Sequence, residues 1–255
     1  MCRLFETIRI EEGKPQNLGW HAARMRRSGL IMDAGCRMQD EQCTMYDVRC
    51  TMYDVGCTMY DVRCTMYDVG CRMYDVRCTM YDVRCTNHES RGTYHVSGDW
   101  LEELIHVPEN MKEGIVKCNV VYEKKILEIS YQQYLKRPVR SLKLVYADTL
   151  DYHVKYLDRT ALDALFALRG DCDDIIIVKD GLITDTSISN LIFYDGAQWF
   201  TPANPLLEGT CRARLIAEGK VLLRDITPDQ LGQYQGCKLI NAMREPEEDD
   251  VVSIY

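Results

Sequence analysis

Apolar and polar residues alternate over Phe5-Glu-Thr-Ile-Arg-Ile10, the two-residue period of a half-buried strand. Gly13-Lys14 marks a turn, Leu18 opens a second short element, and His21–Ser28 reads as a helix. Gly114–Tyr122 and Lys125–Ser130 are β-rich runs close enough to form a hairpin. Pro138–Leu144 reads as a connection between domains. Leu157, Ala161, Leu165 and Leu168 recur at helical spacing up to a stop at Gly170. Beyond it, Asp174–Val178 is a continuous apolar run suited to a buried strand. Lys179-Asp180-Gly181 turns it into Leu182–Asp185. Asn190–Tyr194 and Gln198–Thr201 flank an Asp195-Gly196 turn and form a further hairpin. Gly209 opens a helix reaching about Glu218, and Lys238–Asn241 and Val251–Ile254 are the last strands. These elements predict an α+β fold of two mixed domains. Residues 1–137 form a small N-terminal domain, and residues 138–255 form a larger C-terminal one.

A repeat interrupts the pattern. From Cys36 to Thr86 the chain is nearly periodic in Cys-Thr-Met-Tyr-Asp-Val-Arg/Gly, with cysteines at 36, 43, 50, 57, 64, 71, 78 and 85. Zinc sites use closely paired cysteines rather than one every seven residues, so a metal site is not expected. A coiled coil has this period, but Cys and Tyr fall on one side of the wheel and Met and Val on the other. A regular strand is disfavoured because an odd period flips its faces at every repeat. The tract reads as an insertion with marginal structure, helical if anything.

Composition narrows the function classes. The net charge of −8 argues against nucleic acid, whose phosphates need clustered Lys and Arg. No segment approaches the length of a membrane span, and Met1–Arg9 has no long apolar run that would serve as a secretory signal. Eight of the 13 cysteines lie in the repeat and five are scattered, which fits a reduced, cytoplasmic setting better than a disulfide scaffold.

Three short stretches carry candidate chemistry: Tyr152-His-Val-Lys155-Tyr-Leu-Asp158-Arg159, Asp185-Thr-Ser-Ile-Ser-Asn190 and Gly209-Thr-Cys-Arg212. They supply a lysine, a carboxylate and a helix N-terminus. Such a set can hold an aromatic aldehyde phosphate through an imine, a ring-nitrogen partner and backbone N–H donors to the phosphate. Lys143 is a rival lysine, within an alternating Ser-Leu-Lys-Leu-Val strand. His21-x-x-Arg24 adds a guanidinium suited to phosphate, and His21 itself reads as structural. Asn241-Ala242-Met243 follows a predicted strand.

The order of these segments resembles the class IV aminotransferases, pyridoxal-phosphate enzymes that include branched-chain and D-amino-acid aminotransferases and aminodeoxychorismate lyase. The resemblance runs from Phe5 to about Cys36 and from about Trp100 to the C-terminus. It implies pyridoxal 5'-phosphate as cofactor, a barrel-like large domain, a small-molecule substrate and a homodimer. It implies Lys155 as the catalytic lysine, and Arg24, Lys155, Asp185, Thr210, Cys211, Asn241 and Ala242 as cofactor-binding residues, with no metal. Asp185 stands where the family usually carries glutamate, and Cys211 where it usually carries threonine. Asn119 stands where close relatives carry arginine. Asn241-Ala242-Met243 resembles the lyases more than the transaminases. The leading expectation is formation of 4-aminobenzoate and pyruvate from 4-amino-4-deoxychorismate. The alternatives are an amino-acid transaminase, or a non-catalytic homologue disrupted by the repeat.

Overall fold

The computed structural model describes residues 3–28, 99–246 and 252–254, and the backbone of six strands between residues 42 and 81. The chain divides into two compact units, Met1–Leu30 with Ser97–Tyr255, and Ile31–Val96.

The first unit starts with β1 (Leu4–Glu11), a tight turn at Glu12-Gly13, and the short β2 (Lys14–Pro15). Gly13 has φ +75°, a conformation glycine adopts without steric cost. Helix α1 (Leu18–Arg27) starts at Leu18, earlier than its apolar spacing suggests, and buries His21, Ala22, Arg24 and Met25. Its last turn carries Arg24, Arg26 and Arg27, where cations oppose the negative end of the helix dipole.

In the second unit the expectation that the tract is helical, if anything, is overturned. The heptads form strands β3 (Gln42–Tyr46), β4 (Arg49–Tyr53), β5 (Gly56–Tyr60), β6 (Arg63–Tyr67), β7 (Cys71–Tyr74) and β8 (Arg77–Tyr81). Strands β3, β5 and β7 make one parallel sheet and β4, β6 and β8 another. Each strand therefore pairs with the one fourteen residues away, aligning Cys43 with Cys57 and Tyr46 with Tyr60. The objection from an odd period holds only for one continuous strand. Among the described residues each heptad supplies one short strand, and a spacing of two heptads, an even number of residues, restores the phase. Thr, Val and Tyr favour strands over helix. The remaining residues of Cys36–Thr86 lie outside the described residues.

The first unit resumes with α2 (Asp99–Leu104), β9 (Ile115–Tyr122) and β10 (Ile126–Gln133). The expected hairpin β9–β10 is present and completes a sheet of order β10-β9-β1-β2. Strand β9 pairs with β1 along its whole length, setting Thr7 opposite Asn119 and Arg9 opposite Lys117. Directly opposed residues share a face, so Thr7, Asn119 and Lys117 lie on one face and Glu6 and Ile8 on the other.

Next come β11 (Ser141–Tyr146), α3 (Thr160–Phe166), β12 (Asp174–Lys179), β13 (Leu182–Ile183), β14 (Asn190–Tyr194), β15 (Trp199–Pro202), α4 (Thr210–Ala217), β16 (Val221–Arg224), β17 (Gly236–Ile240) and β18 (Ser253–Ile254). They form two four-stranded sheets, β13-β12-β11-β18 and β16-β15-β14-β17, in the mixed α+β architecture expected from the sequence. Leu142, Ile176, Val178, Leu191, Phe193, Ile226 and Leu239 form a core contributed by both sheets. The segment Asp185–Asn190 runs from one sheet to the other and closes with a bridge between its two ends. Helix α3 also differs from expectation. Leu157 and Leu168 are exposed, and the buried residue is Leu162. Leu157 N–H donates to Arg3 O and its neighbour Tyr156 bridges to Leu4, and the helix starts only at Thr160, whose N–H donates to Asp158 Oδ1. The pairing with Arg3 and Leu4 places Lys155 against the start of β1, where Phe5 N–H donates to its carbonyl.

Candidate active site

A cavity of about 290 Å³ is lined by Phe5, Thr7, Arg24, Lys117, Tyr134, Tyr152, Lys155, Arg159, Asp185–Asn190, Leu206, Leu207, Gly209, Thr210 and Asn241–Met243, among others. All of these belong to the first compact unit.

Lys155 Nζ donates to Thr7 Oγ1 at 3.4 Å and lies 4.6 Å from the centre of the Phe5 ring. Burial of the amine, helped by repulsion from Arg24 and opposed by Glu6, brings its pKa down to about 7. Near neutrality about half of the amine is then uncharged and nucleophilic. An ordinary lysine, near 10.4, is uncharged to less than about one part in a thousand.

Asp185 is buried, and burial raises its carboxyl to about 6 despite two donors. Asn190 Nδ2 donates to Oδ1 at 2.7 Å and Leu207 N–H to Oδ2 at 2.9 Å. Asn190 also donates to Leu207 O at 2.8 Å, so the amide ties Asp185 to the chain entering α4. Gly209 precedes α4 with extended backbone, and a Cβ there would sit 1.9 Å from Asn190 Oδ1. Glycine at this position is what lets the helix start approach the Asp185 cluster.

At the other end, Arg24 Nε and Nη2 donate to the two oxygens of Glu6 at 2.7 and 2.6 Å, and Nη1 donates to Glu208 O at 3.3 Å. The guanidinium thus reaches the residue before Gly209. Burial alone would raise the Glu6 carboxyl, but the charge of Arg24 and hydrogen bonds from His21 and Arg24 hold it well below the usual range. At the start of α4 the first backbone N–H groups have no intrahelical acceptor, and Gly209 and Thr210 line the cavity. Amine, buried carboxylate, guanidinium and helix start therefore face one space. They match an aromatic aldehyde phosphate group by group.

A family model described as amino-transferase class IV matches residues 126–245. An uncharacterized protein of Haemophilus influenzae is 40% identical over 143 residues, which is 56% of this chain and 76% of that relative. This chain belongs to the class IV aminotransferases.

Members of class IV depend on pyridoxal phosphate. Among solved structures, a candidate 4-amino-4-deoxychorismate lyase from Haemophilus somnus 129pt is similar at TM-score 0.64 and 28% identity. That match covers 95% of this chain and 97% of that one. A candidate branched-chain amino acid aminotransferase from Thermotoga maritima shares the fold at TM-score 0.61 and 13% identity, over 99% and 77% of the two chains. A 4-amino-4-deoxychorismate lyase from Pseudomonas aeruginosa does so at 0.55 and 13%, over 99% and 83%.

The class IV positions anticipated from the sequence do not all meet the cavity. Arg24, Lys155, Asp185, Thr210, Asn241 and Ala242 line it. The Cys211 side chain points elsewhere. It is buried with Ile192, Leu215, Val221 and Ile240, and its sulfur lies 4.0 Å from Arg244 O. The sulfur also lies 3.9 Å from Glu245 Oε2 and from Arg214 Nη2, and Cys211 is absent from the cavity lining. Arg212 is buried against the end of β15, donating to Pro202 O at 2.8 Å and, from Nε, to Thr201 Oγ1. Lys143 donates to Leu168 O and is absent from the cavity lining. Asn241 Nδ2 donates to Ser189 Oγ at 2.9 Å, fastening the end of β17 to the Asp185–Asn190 segment.

Several cavity residues were not picked out from the sequence. Thr7 comes from β1, Lys117 from β9, and Arg159 from the residue before α3. Arg159 donates to Ser187 O at 2.8 Å and to the Tyr152 hydroxyl at 3.4 Å. Glu6 carried one legible signal: with Thr7 it makes two polar residues in succession, a break in the strand's alternation ahead of His-x-x-Arg.

Proposed function

We propose that the chain is a pyridoxal 5'-phosphate enzyme that converts 4-amino-4-deoxychorismate to 4-aminobenzoate and pyruvate, a step of folate biosynthesis. The observation that carries this reading is the convergence of Lys155, Asp185 and the start of α4 on one cavity. When bound, the cofactor supplies an electron sink for a carbanion at the substrate's amino-bearing carbon. Lys155 Nζ, with a pKa of about 7, would take the proton from that carbon and pass it to the enolpyruvyl group as the neighbouring C–O bond breaks, so that the ring becomes aromatic and the departing group becomes pyruvate. Thr7 Oγ1 accepts a hydrogen bond from the amine and steers it across the cavity. Asp185 has its carboxylate oriented by Asn190 and Leu207 and pairs with the protonated ring nitrogen. Arg24 and the N–H groups of Thr210 and Cys211 hold the phosphate.

Two further cations, Lys117 and Arg159, line the same cavity. A substrate with two carboxylates, as 4-amino-4-deoxychorismate is, uses both. The reaction rearranges the atoms of the substrate into its two products without a second substrate, so one site suffices. The similar candidate lyase from Haemophilus somnus agrees with this choice.

The test is to supply purified protein and cofactor with 4-amino-4-deoxychorismate, and separately with common amino donors and 2-oxo acids. Pyruvate and 4-aminobenzoate released faster than any keto acid supports the lyase. Robust transamination without pyruvate release replaces it with a transaminase. Failure to bind the cofactor leaves a non-catalytic homologue.

A further inference from the structure

Glu6 sits on the face of β1 opposite Thr7 and is fully buried. Its carboxylate takes three donors: Arg24 Nε at 2.7 Å, Arg24 Nη2 at 2.6 Å and His21 Nδ1 at 2.7 Å. Burial, reinforced by the Arg24 charge, lowers the pKa of His21 against the pull of Glu6. The ring is then neutral and must carry its proton on Nδ1 to donate to Glu6. His21 and Arg24 are three residues apart on α1 and share the helix face turned to β1.

Arginine has a long side chain whose rotamer freedom costs about 2 kcal/mol to freeze. In this chain the freezing is done before any ligand arrives. Two of the three guanidinium nitrogens are committed to a carboxylate in the middle of a strand paired along its length with β9. The third, Nη1, is left beside Glu208 O at the mouth of α4.

We propose that Glu6 is a positioning residue for the phosphate end of the cofactor, fixing Arg24 so that its Nη1 edge meets the phosphate at the start of α4. This rests on the pyridoxal-phosphate reading above. His21 serves the same end as a neutral donor that holds the second oxygen of Glu6 in place. The carboxylate also cancels the charge of Arg24, so orientation, rather than surplus positive charge, is what Arg24 brings to the phosphate.

The experiment compares pyridoxal 5'-phosphate with pyridoxal, which lacks the phosphate. Both are titrated by absorbance and fluorescence into the full chain and its Glu6→Gln, Arg24→Met and double variants. Losing one charge-assisted hydrogen bond to an oriented partner should weaken pyridoxal 5'-phosphate about ten-fold or more. Pyridoxal binding should stay within about two-fold. In the Arg24→Met background, adding Glu6→Gln should leave the preference for the phosphorylated form unchanged, an outcome that a general structural role for Glu6 would not produce. An unchanged preference in Glu6→Gln overturns the proposal. So does tighter phosphate binding in that variant, which would mean that Glu6 acts only by cancelling charge. If Glu6→Gln does not fold, Glu6→Asp keeps the charge and shortens its reach. A reduced phosphate preference then supports the proposal and an unchanged one overturns it. Wild-type protein that binds neither compound would instead overturn the cofactor reading itself.

Discussion

Adding one methyl group at Gly209 should damage the site more than it damages the backbone. The residue has φ −68° and ψ 144°, which alanine adopts without strain. The new Cβ, however, would stand 1.9 Å from Asn190 Oδ1 and 3.1 Å from its Cγ. Ordinary contact begins near about 3.4 Å, so the amide must retreat by roughly 1.5 Å. That distance breaks its bonds to Asp185 at 2.7 Å and to Leu207 O at 2.8 Å. A hydrogen bond to a charged group contributes about 1.5–3 kcal/mol and a neutral one about 0.5–1.5. The expected loss is about 2–4 kcal/mol, a fall in Tm of about 5–15 °C for a chain of this size. Asp185 loses one of its two donors, so its carboxyl should rise further above about 6. Thermal melts and cofactor titrations of Gly209→Ala should be run beside Gly232→Ala, where a Cβ meets nothing within 4 Å. Asn190→Ala should absorb most of the effect, so that the double variant is little worse than Asn190→Ala alone. A Gly209→Ala protein with wild-type Tm and cofactor affinity would refute the reasoning.

Lys155, at about 7, should react with trinitrobenzenesulfonate in the apo protein with a midpoint near neutrality, followed by peptide mapping; a midpoint above about 9 would contradict the burial argument. Between about pH 7 and 10.4 the unfolded lysine holds a proton that the folded one has lost, so this residue makes stability rise with pH across that window. Arg24→Met removes the repulsion and should move the Lys155 midpoint upward. Cofactor affinity should fall as pH drops below about 6, where Asp185 takes up a proton and no longer accepts from a protonated ring nitrogen. Asp185→Ala should lose turnover more than cofactor affinity, because the phosphate cradle remains; unchanged turnover would remove Asp185 from the site. Replacing Cys36–Thr86 with a short Gly/Ser linker should preserve pyridoxal-phosphate binding at Lys155, since the cavity residues fall outside that tract. Loss of binding by an otherwise folded deletion variant would show that the repeat shapes the site.

Much of the local structure was legible because it depends on neighbours in sequence. Asp180 and Gly181 adopt positive φ at the predicted turn, and β14 and β15 flank the Asp195-Gly196 turn as the glycine placement required. Gly209 ahead of an apolar-spaced run marked the start of α4, and the order of lysine, carboxylate and helix start pointed to one kind of ligand. The sequence by itself determined these pieces and their chemical types. Tertiary structure decided which of them meet. Periodicity gave α3 an apolar face through Leu157 and Leu168, but Leu157 pairs with Arg3, and the helix starts only at Thr160 and buries Leu162 instead. Cys211 has the motif position of a phosphate ligand, yet the helix turns its thiol into an apolar cluster. Glu6 and Arg24 are eighteen residues apart, and Arg24 and Glu208 are 184 apart. Those separations leave no local signature. The heptads are strands because each pairs with a copy fourteen residues away, a register that one seven-residue period does not reveal. Hydrogen-bond partners and burial are properties of packed surfaces, so the residue types could be read along the chain, and their contacts only across it.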